Sequence, residues 1–106
     1  MIVRLWRGFA SAEKAPDYHR HVTQTVFPSL KEIAGHRGAY LLKHEAGGRV
    51  EFLAVTLWES IQAVRAFAGP NPDVAVVEPG GVAALTEFDS FVRHFDLAYG
   101  DPTCSS

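Results

Sequence analysis

Between Glu51 and Trp58 apolar residues occupy both phases of a period-two pattern. Phe52, Ala54, Thr56 and Trp58 fall on one face, and Leu53, Val55 and Leu57 fall on the other. A strand that is apolar on both sides must be covered on both sides. A chain of 106 residues with room for two helices can cover one face of a sheet. The other face therefore predicts a second copy of the protein.

The same pattern, read outward, sets the remaining elements. Residues 2–9 predict a first strand, closed by Ser11 as a helix cap. A helix is expected over about residues 12–34, with Tyr18, Val22, Val26 (or Thr25), Leu30 and Ile33 as its apolar stripe. Pro28 lies inside that stripe, and its missing N–H predicts a kink or break; Gly35 supplies the stop. Residues 37–46 predict a second strand, turning through Gly47-Gly48 into the third. A two-residue turn fixes the register, pairing His44 with Glu51, Leu42 with Leu53, Tyr40 with Val55 and Ala39 with Thr56. Ser60 caps a second helix that runs to about Ala68 and ends at Gly69-Pro70-Asn71-Pro72. Residues 73–81 read as a short helical turn followed by loop, with Gly80-Gly81 as a turn, and a last strand lies within residues 88–99. The order βαββαβ, with right-handed crossovers, predicts an α+β ferredoxin-like sandwich: a four-stranded antiparallel sheet with both helices on one face.

Composition adds mainly exclusions. With 47% hydrophobic and 21% charged residues the chain reads as one globular domain over residues 1–100, followed by a polar tail over residues 101–106. A net charge of -2 with scattered basic residues gives no footprint for nucleic acid. No apolar run approaches the ~20 residues that span a bilayer, and Met1 leads straight into a strand rather than a leader, so no membrane association and a cytoplasmic location are expected. Cys104, alone in the tail, has no disulfide partner and makes no metal site.

Several signals in order resemble the antibiotic biosynthesis monooxygenase superfamily of dimeric α/β-barrel proteins. They are Trp6-Arg7-Gly8 in the opening strand, Tyr18 and Pro28 in the first helix, and Gly35-x-x-Gly38 before strand two. Phe52-Leu53, Thr56-x-Trp58-Glu59-Ser60, Ala63, Ala66-Phe67-Ala68-Gly69 and Val92-Arg93-His94-Phe95 complete the series. The likeness covers nearly the whole chain. It implies the ferredoxin-like fold and a homodimer through the sheet face. It is less specific for activity, since the superfamily includes cofactor-free oxygenases of phenols and anthrones, haem-degrading enzymes and proteins of unassigned role. The haem-degrading branch relies on an Asn in the first strand, a Trp in the second helix and a haem-ligating His ten residues later. Here the first strand has no Asn, the helix position holds Phe67 and the ligand position falls near Val77. The resemblance therefore points to a cofactor-independent monooxygenase acting on a phenolic, anthrone-like or quinol-like aromatic ligand. A non-catalytic ligand-binding or stress-related dimer, or a polyketide isomerase or cyclase, are the alternatives.

Within that reading His94 is the candidate catalytic base, set on the strand face opposite Phe91, Arg93 and Phe95. A neutral imidazole could remove a phenolic proton and leave an electron-rich anion that reduces dioxygen. The plainer account is a histidine hydrogen-bonded at the sheet edge or dimer seam. Trp6, Trp58 and Phe67 are candidate walls of an aromatic pocket, with Tyr18 and Tyr40 as donors to a substrate oxygen; each is equally a core or interface residue. Arg4, Arg7 and Arg93 could each hold an anionic group, and the sequence does not choose among them. His19 and His21 have metal-like spacing, but two residues on a helix turn side chains about 200° apart, so no metal site is expected. His44 opposite Glu51 reads as a solvated cross-strand pair.

Overall fold

A computed structural model describes residues 1–100; Cys104 and the rest of the predicted tail lie outside the described residues. Strand β1 (Ile2–Ser11) is followed by helix α1 (Ala15–His21), a π-helical turn (Val22–Val26) and helix α2 (Phe27–Leu30). The hairpin β2 (His36–Ala46) and β3 (Arg49–Trp58) comes next, then helices α3 (Ile61–Ala68) and α4 (Pro79–Ala84), and finally β4 (Glu87–Phe88) and β5 (Arg93–Asp96). The sheet is antiparallel in the order β2-β3-β1-β4, and β5 continues along the same edge of β1. This is the predicted ferredoxin-like arrangement, with the last strand in two pieces.

The hairpin register follows the turn chemistry. Gly47 and Gly48 have φ values of 60° and 84°, which glycine adopts without strain, and all four predicted pairs are present. The edge strand divides for a visible reason. Residues 90–92 turn aside to bond the loop after α3: Ala75 N–H donates to Ser90 O at 2.9 Å and Val92 N–H to Asp73 O at 2.8 Å. This small ladder brings residues 72–74 against the helix-side face of β1.

The first helix starts later than expected, because the Ser11 hydroxyl and carbonyl both accept from Lys14 N–H and hold residues 12–14 in a turn. The chain stays helical through Pro28. The wide turn just before it, with Phe27 N–H donating to Val22 O, absorbs the misfit that proline creates one turn upstream. The helix stops at Leu30 rather than near Ala34. Gly35 then turns at φ 90°, where a Cβ would lie 2.5 Å from Ala63 Cβ. The Ser60 hydroxyl caps α3 by accepting from Ala63 N–H at 3.2 Å. Gly80-Gly81, expected as a turn, open α4 instead and pass under the His21 ring.

Alternation along β1 sorts the two faces. Ile2, Arg4, Trp6, Gly8 and Ala10 face the helices, where the core forms two clusters. One gathers Tyr18, Val22, Val50 and Phe52; the other gathers Leu30, Trp58, Ala63 and Val64. On the opposite face Val3 pairs beside Leu57 and Phe95, and Leu5 beside Val55 and Arg93, with Tyr40 and Leu42 following on β2. Tyr40, Leu42 and Phe95 are exposed there. Among the described residues no helix is long and apolar enough to cross a membrane.

Candidate functional site

Where the two core clusters meet, the helix layer and the sheet do not close. Trp6 and Tyr18 belong to one side of this seam and Phe67 and Leu30 to the other. Val22, Val26 and Phe27 come from the helix, Ala54 and Thr56 from β3, and Val76, Val77 and Val92 from the loop and edge strand. The free interior is about 70 Å³, room for a few waters. A larger hollow of about 730 Å³ lies between α1 and the hairpin tip. It is a more polar groove between His19, Arg20, Lys43, Glu45 and Arg49, without an aromatic wall beyond Phe52, and about as open as the seam cavity.

Each aromatic wall is fixed by its neighbours. The Trp6 indole lies over Gly8, where a Cβ would approach within 2.6 Å, and its Nε1–H donates to Asp89 O at 2.8 Å. Tyr18 packs on Phe52 at 4.8 Å and makes no side-chain hydrogen bond among the described residues. Burial pushes its phenol well above the ordinary tyrosine range, so it remains protonated. Phe67 stacks on Trp58 at 5.5 Å, and its ring carries the Arg4 guanidinium at 5.6 Å.

Arg4 is the polar centre of the wall. It is 4% exposed and lines the cavity from β1. Its Nη1 donates to Pro72 O and, at 3.0 Å, to His94 Nε2; Nη2 donates to Val74 O at 3.0 Å. Arginine has five N–H groups. Its Nε–H and one Nη2–H are left without a partner among the described residues. Burial lowers the guanidinium to about 10, opposed by Asp73, so it is charged at neutral pH.

Because arginine only donates, His94 Nε2 must accept. Nδ1 then carries the proton and faces Asp73 Oδ1 at 3.2 Å. Burial first and Arg4 second push His94 below its ordinary 6.5 and keep it neutral. His94 does not line the cavity, and both its nitrogens are occupied. The histidine that does line the cavity is His21, whose Nε2 is buried without a hydrogen bond and lies 3.8 Å from Glu78 Oε2. His19 faces the open groove instead, as helical spacing required. The described residues contain no cluster of three or more metal-ligating side chains.

Of the five predicted walls the structure brings together Trp6, Tyr18 and Phe67. Trp58 is displaced from that role: it is fully buried behind Phe67, donating to Thr56 Oγ1 at 2.8 Å, and is a core residue. Tyr40 is on the other face of the sheet, 59% exposed, because it pairs with Val55 and shares its phase. Arg4 is selected over Arg7 and Arg93 by the same alternation, since those two share the phase of Leu5.

Superposition on solved structures follows this architecture end to end. The haem degrader MhuD from Mycobacterium tuberculosis, solved with two haems in its active site, matches with a TM-score of 0.66 at 19% identity. That match covers 96% of this chain and 100% of MhuD. A candidate antibiotic biosynthesis monooxygenase from Deinococcus radiodurans gives 0.64 at 15% identity, covering 99% and 100%. The chain has the antibiotic biosynthesis monooxygenase fold. A Streptomyces coelicolor monooxygenase, ActVA-Orf6, solved with nanaomycin D, shares it over 67% of this chain and 62% of its own, with a TM-score of 0.51 at 21% identity. No family model matches the sequence. The uncharacterised Mycobacterium tuberculosis proteins MT2635 and Rv2558 are each 33% identical over 87 residues, or 79% of this chain, which spans about a third (36%) of their length.

A haem does not fit the residues of this site. Phe67 and Val77, at the positions that the haem-degrading branch uses, both line the cavity, but neither offers a ligand atom. His21 Nε2 could in principle ligate iron, yet the space beside it is far below the ~300–1,000 Å³ of pockets that enclose large ligands.

Proposed function

We propose that this protein is a small cofactor-independent monooxygenase, dimeric through its bare sheet face, that oxidises a small phenolic ligand. The observation that carries the reading is a buried, charged Arg4 in the wall of a mostly apolar, aromatic cavity, in a fold shared with monooxygenases. The aromatic walls of this cavity suit the flat phenolic ring expected from the sequence. Trp6, Tyr18 and Phe67 would orient and desolvate that ring. Arg4 would stabilise the oxyanion, and His21, whose Nε2 makes no hydrogen bond and lies 3.8 Å from Glu78 Oε2, would accept the phenolic proton. His94 would serve as a positioning residue, holding Arg4 in place.

A para-unsubstituted phenol balances the reaction without another reductant. One oxygen atom replaces the para C–H as a carbonyl, and the other leaves as water with that hydrogen and the hydroxyl proton. The substrate supplies all the electrons. The test is oxygen uptake with a panel of simple phenols, read together with quinone formation. One O₂ consumed per quinone supports the reading. Turnover that persists under anaerobiosis would indicate an isomerase or cyclase, and tight binding without oxygen uptake would indicate a ligand-binding protein.

A further inference from the structure

The cavity has one more property to account for: how its buried charge is balanced. Arg4 sits in the wall with two carbonyl oxygens and a neutral imidazole as partners, and no carboxylate lies within ion-pair distance of it among the described residues. The nearest counter-charge, Asp73, is one imidazole away and largely exposed. Glu78, the carboxylate on the cavity rim, is paired with His21 and half-exposed. A guanidinium as buried as this one is screened less by water than a surface charge and attracts an anion beside it more strongly. Its free Nε–H and Nη2–H form a pair of donors suited to oxygen atoms.

The lining sets a second condition. Trp6, Tyr18, Phe67 and a ring of valines give the space beside Arg4 a largely apolar, aromatic wall suited to the face of a flat ring. We propose that the cavity selects an aromatic ligand in its anionic form, phenolate or arylcarboxylate, with the anionic oxygen held by Arg4. The inference rests on the ligand-site reading above, but not on any reaction with oxygen.

The probe is 4-nitrophenol, whose ionisation is visible, titrated into the intact protein at a pH where the free dye is largely protonated. Binding should turn the dye to phenolate, with its apparent ionisation lowered by about 1 to 3 pH units, as for an acid beside a fixed cation. Benzoate should displace it at least about tenfold more effectively than benzamide, which has the same shape without the charge. In Arg4→Gln the dye should bind weakly and in its protonated form. Should that variant fail to fold, the benzoate and benzamide comparison on the native protein decides alone. A dye bound as neutral phenol, or equal displacement by benzoate and benzamide, overturns the proposal and leaves a pocket for neutral rings. Absence of binding by every one-ring probe overturns both the proposal and the ligand-site reading. Failure of oxygen uptake alone removes only the oxygenase.

Discussion

Gly8 lies directly beneath the indole of Trp6: a Cβ at position 8 would come within 2.6 Å of Trp6 Cη2. Two residues apart on the helix-side face of β1, they form one unit, and the absent side chain lets the ring lie flat along the cavity wall. Gly8→Ala removes backbone freedom from the unfolded chain, which favours folding by roughly 0.5–1 kcal/mol. The overpacking it forces costs about 1–3 kcal/mol and wins. Denaturant unfolding should show the loss, and Trp6 emission should shift as the indole tilts. A stabilised variant with unchanged emission would mean that the ring has room to step aside.

Trp58 behaves differently, because it is enclosed. It donates to Thr56 Oγ1, stacks on Phe67 and meets the His36 ring edge-on at 5.0 Å. Trp58→Ala should cost about 3–5 kcal/mol through the void it leaves. Trp58→Phe should be milder and leave ligand affinity per folded molecule within a few-fold of the parent. A large loss of binding in folded Trp58→Phe would restore Trp58 to the ligand wall.

The bare sheet face gives a prediction independent of the cavity. Leu5, Leu53, Val55 and Leu57 share it with exposed Tyr40 and Leu42, forming a contiguous apolar patch of the kind that marks an interface. Analytical ultracentrifugation should find a dimer, and Val55→Lys, which places a charge at the centre, should find a monomer with its helices intact. A monomeric parent protein at micromolar concentration would refute assembly through this face.

Much of this was legible in the chain, and the exceptions have physical causes. The hairpin register follows from Gly47-Gly48 alone, and the two-faced strand β3 requires a covered sheet on both sides. Within the first strand Arg4 could also have been singled out: period two puts it in phase with Trp6, whereas Arg7 falls in phase with Val3 and Leu5; Arg93 needed the strand pairing to be placed. The same count removes Tyr40 from the cavity once its pairing with Val55 is fixed. The bonding of residues 73–75 to 90–92 was not legible, because a loop-to-edge ladder has no periodic signature. That ladder divides the last strand and delivers Asp73 and two carbonyls to Arg4 and His94. Nor could the sequence show that His94 would be occupied at both nitrogens.

Acid stability should carry the imprint of two histidines. Burial, with Arg4 beside one and Lys31 beside the other, holds His94 and His36 below their ordinary 6.5. Above that pH both are neutral whether folded or unfolded, and neither affects stability. As pH falls below 6.5 the unfolded chain takes up protons that the folded chain resists, so stability declines until the folded values are reached. Melting temperatures should drop through this window, well before carboxylates titrate, and the drop should be shallower in His36→Gln. A flat profile from pH 7 to 5 would contradict the burial of both rings.

The role of His94 separates cleanly by kinetics once a turned-over phenol is in hand. If His94 acts by fixing Arg4, then losing its acceptor nitrogen loosens the guanidinium and weakens ligand capture. His94→Leu should raise KM by about tenfold, a typical effect of removing a residue that supports a binding group, with kcat changed only a few-fold. His94→Gln, whose amide oxygen reaches about as far as Nε2 and can still accept from Arg4 Nη1, should recover most of that loss. A general base obeys another rule: neither Leu nor Gln accepts the proton, and both variants should lower kcat by about 10²-fold or more at nearly constant KM. The geometry favours the first pattern, because a proton acceptor must present a free lone pair to the substrate, and the Nε2 lone pair of His94 is already directed at Arg4.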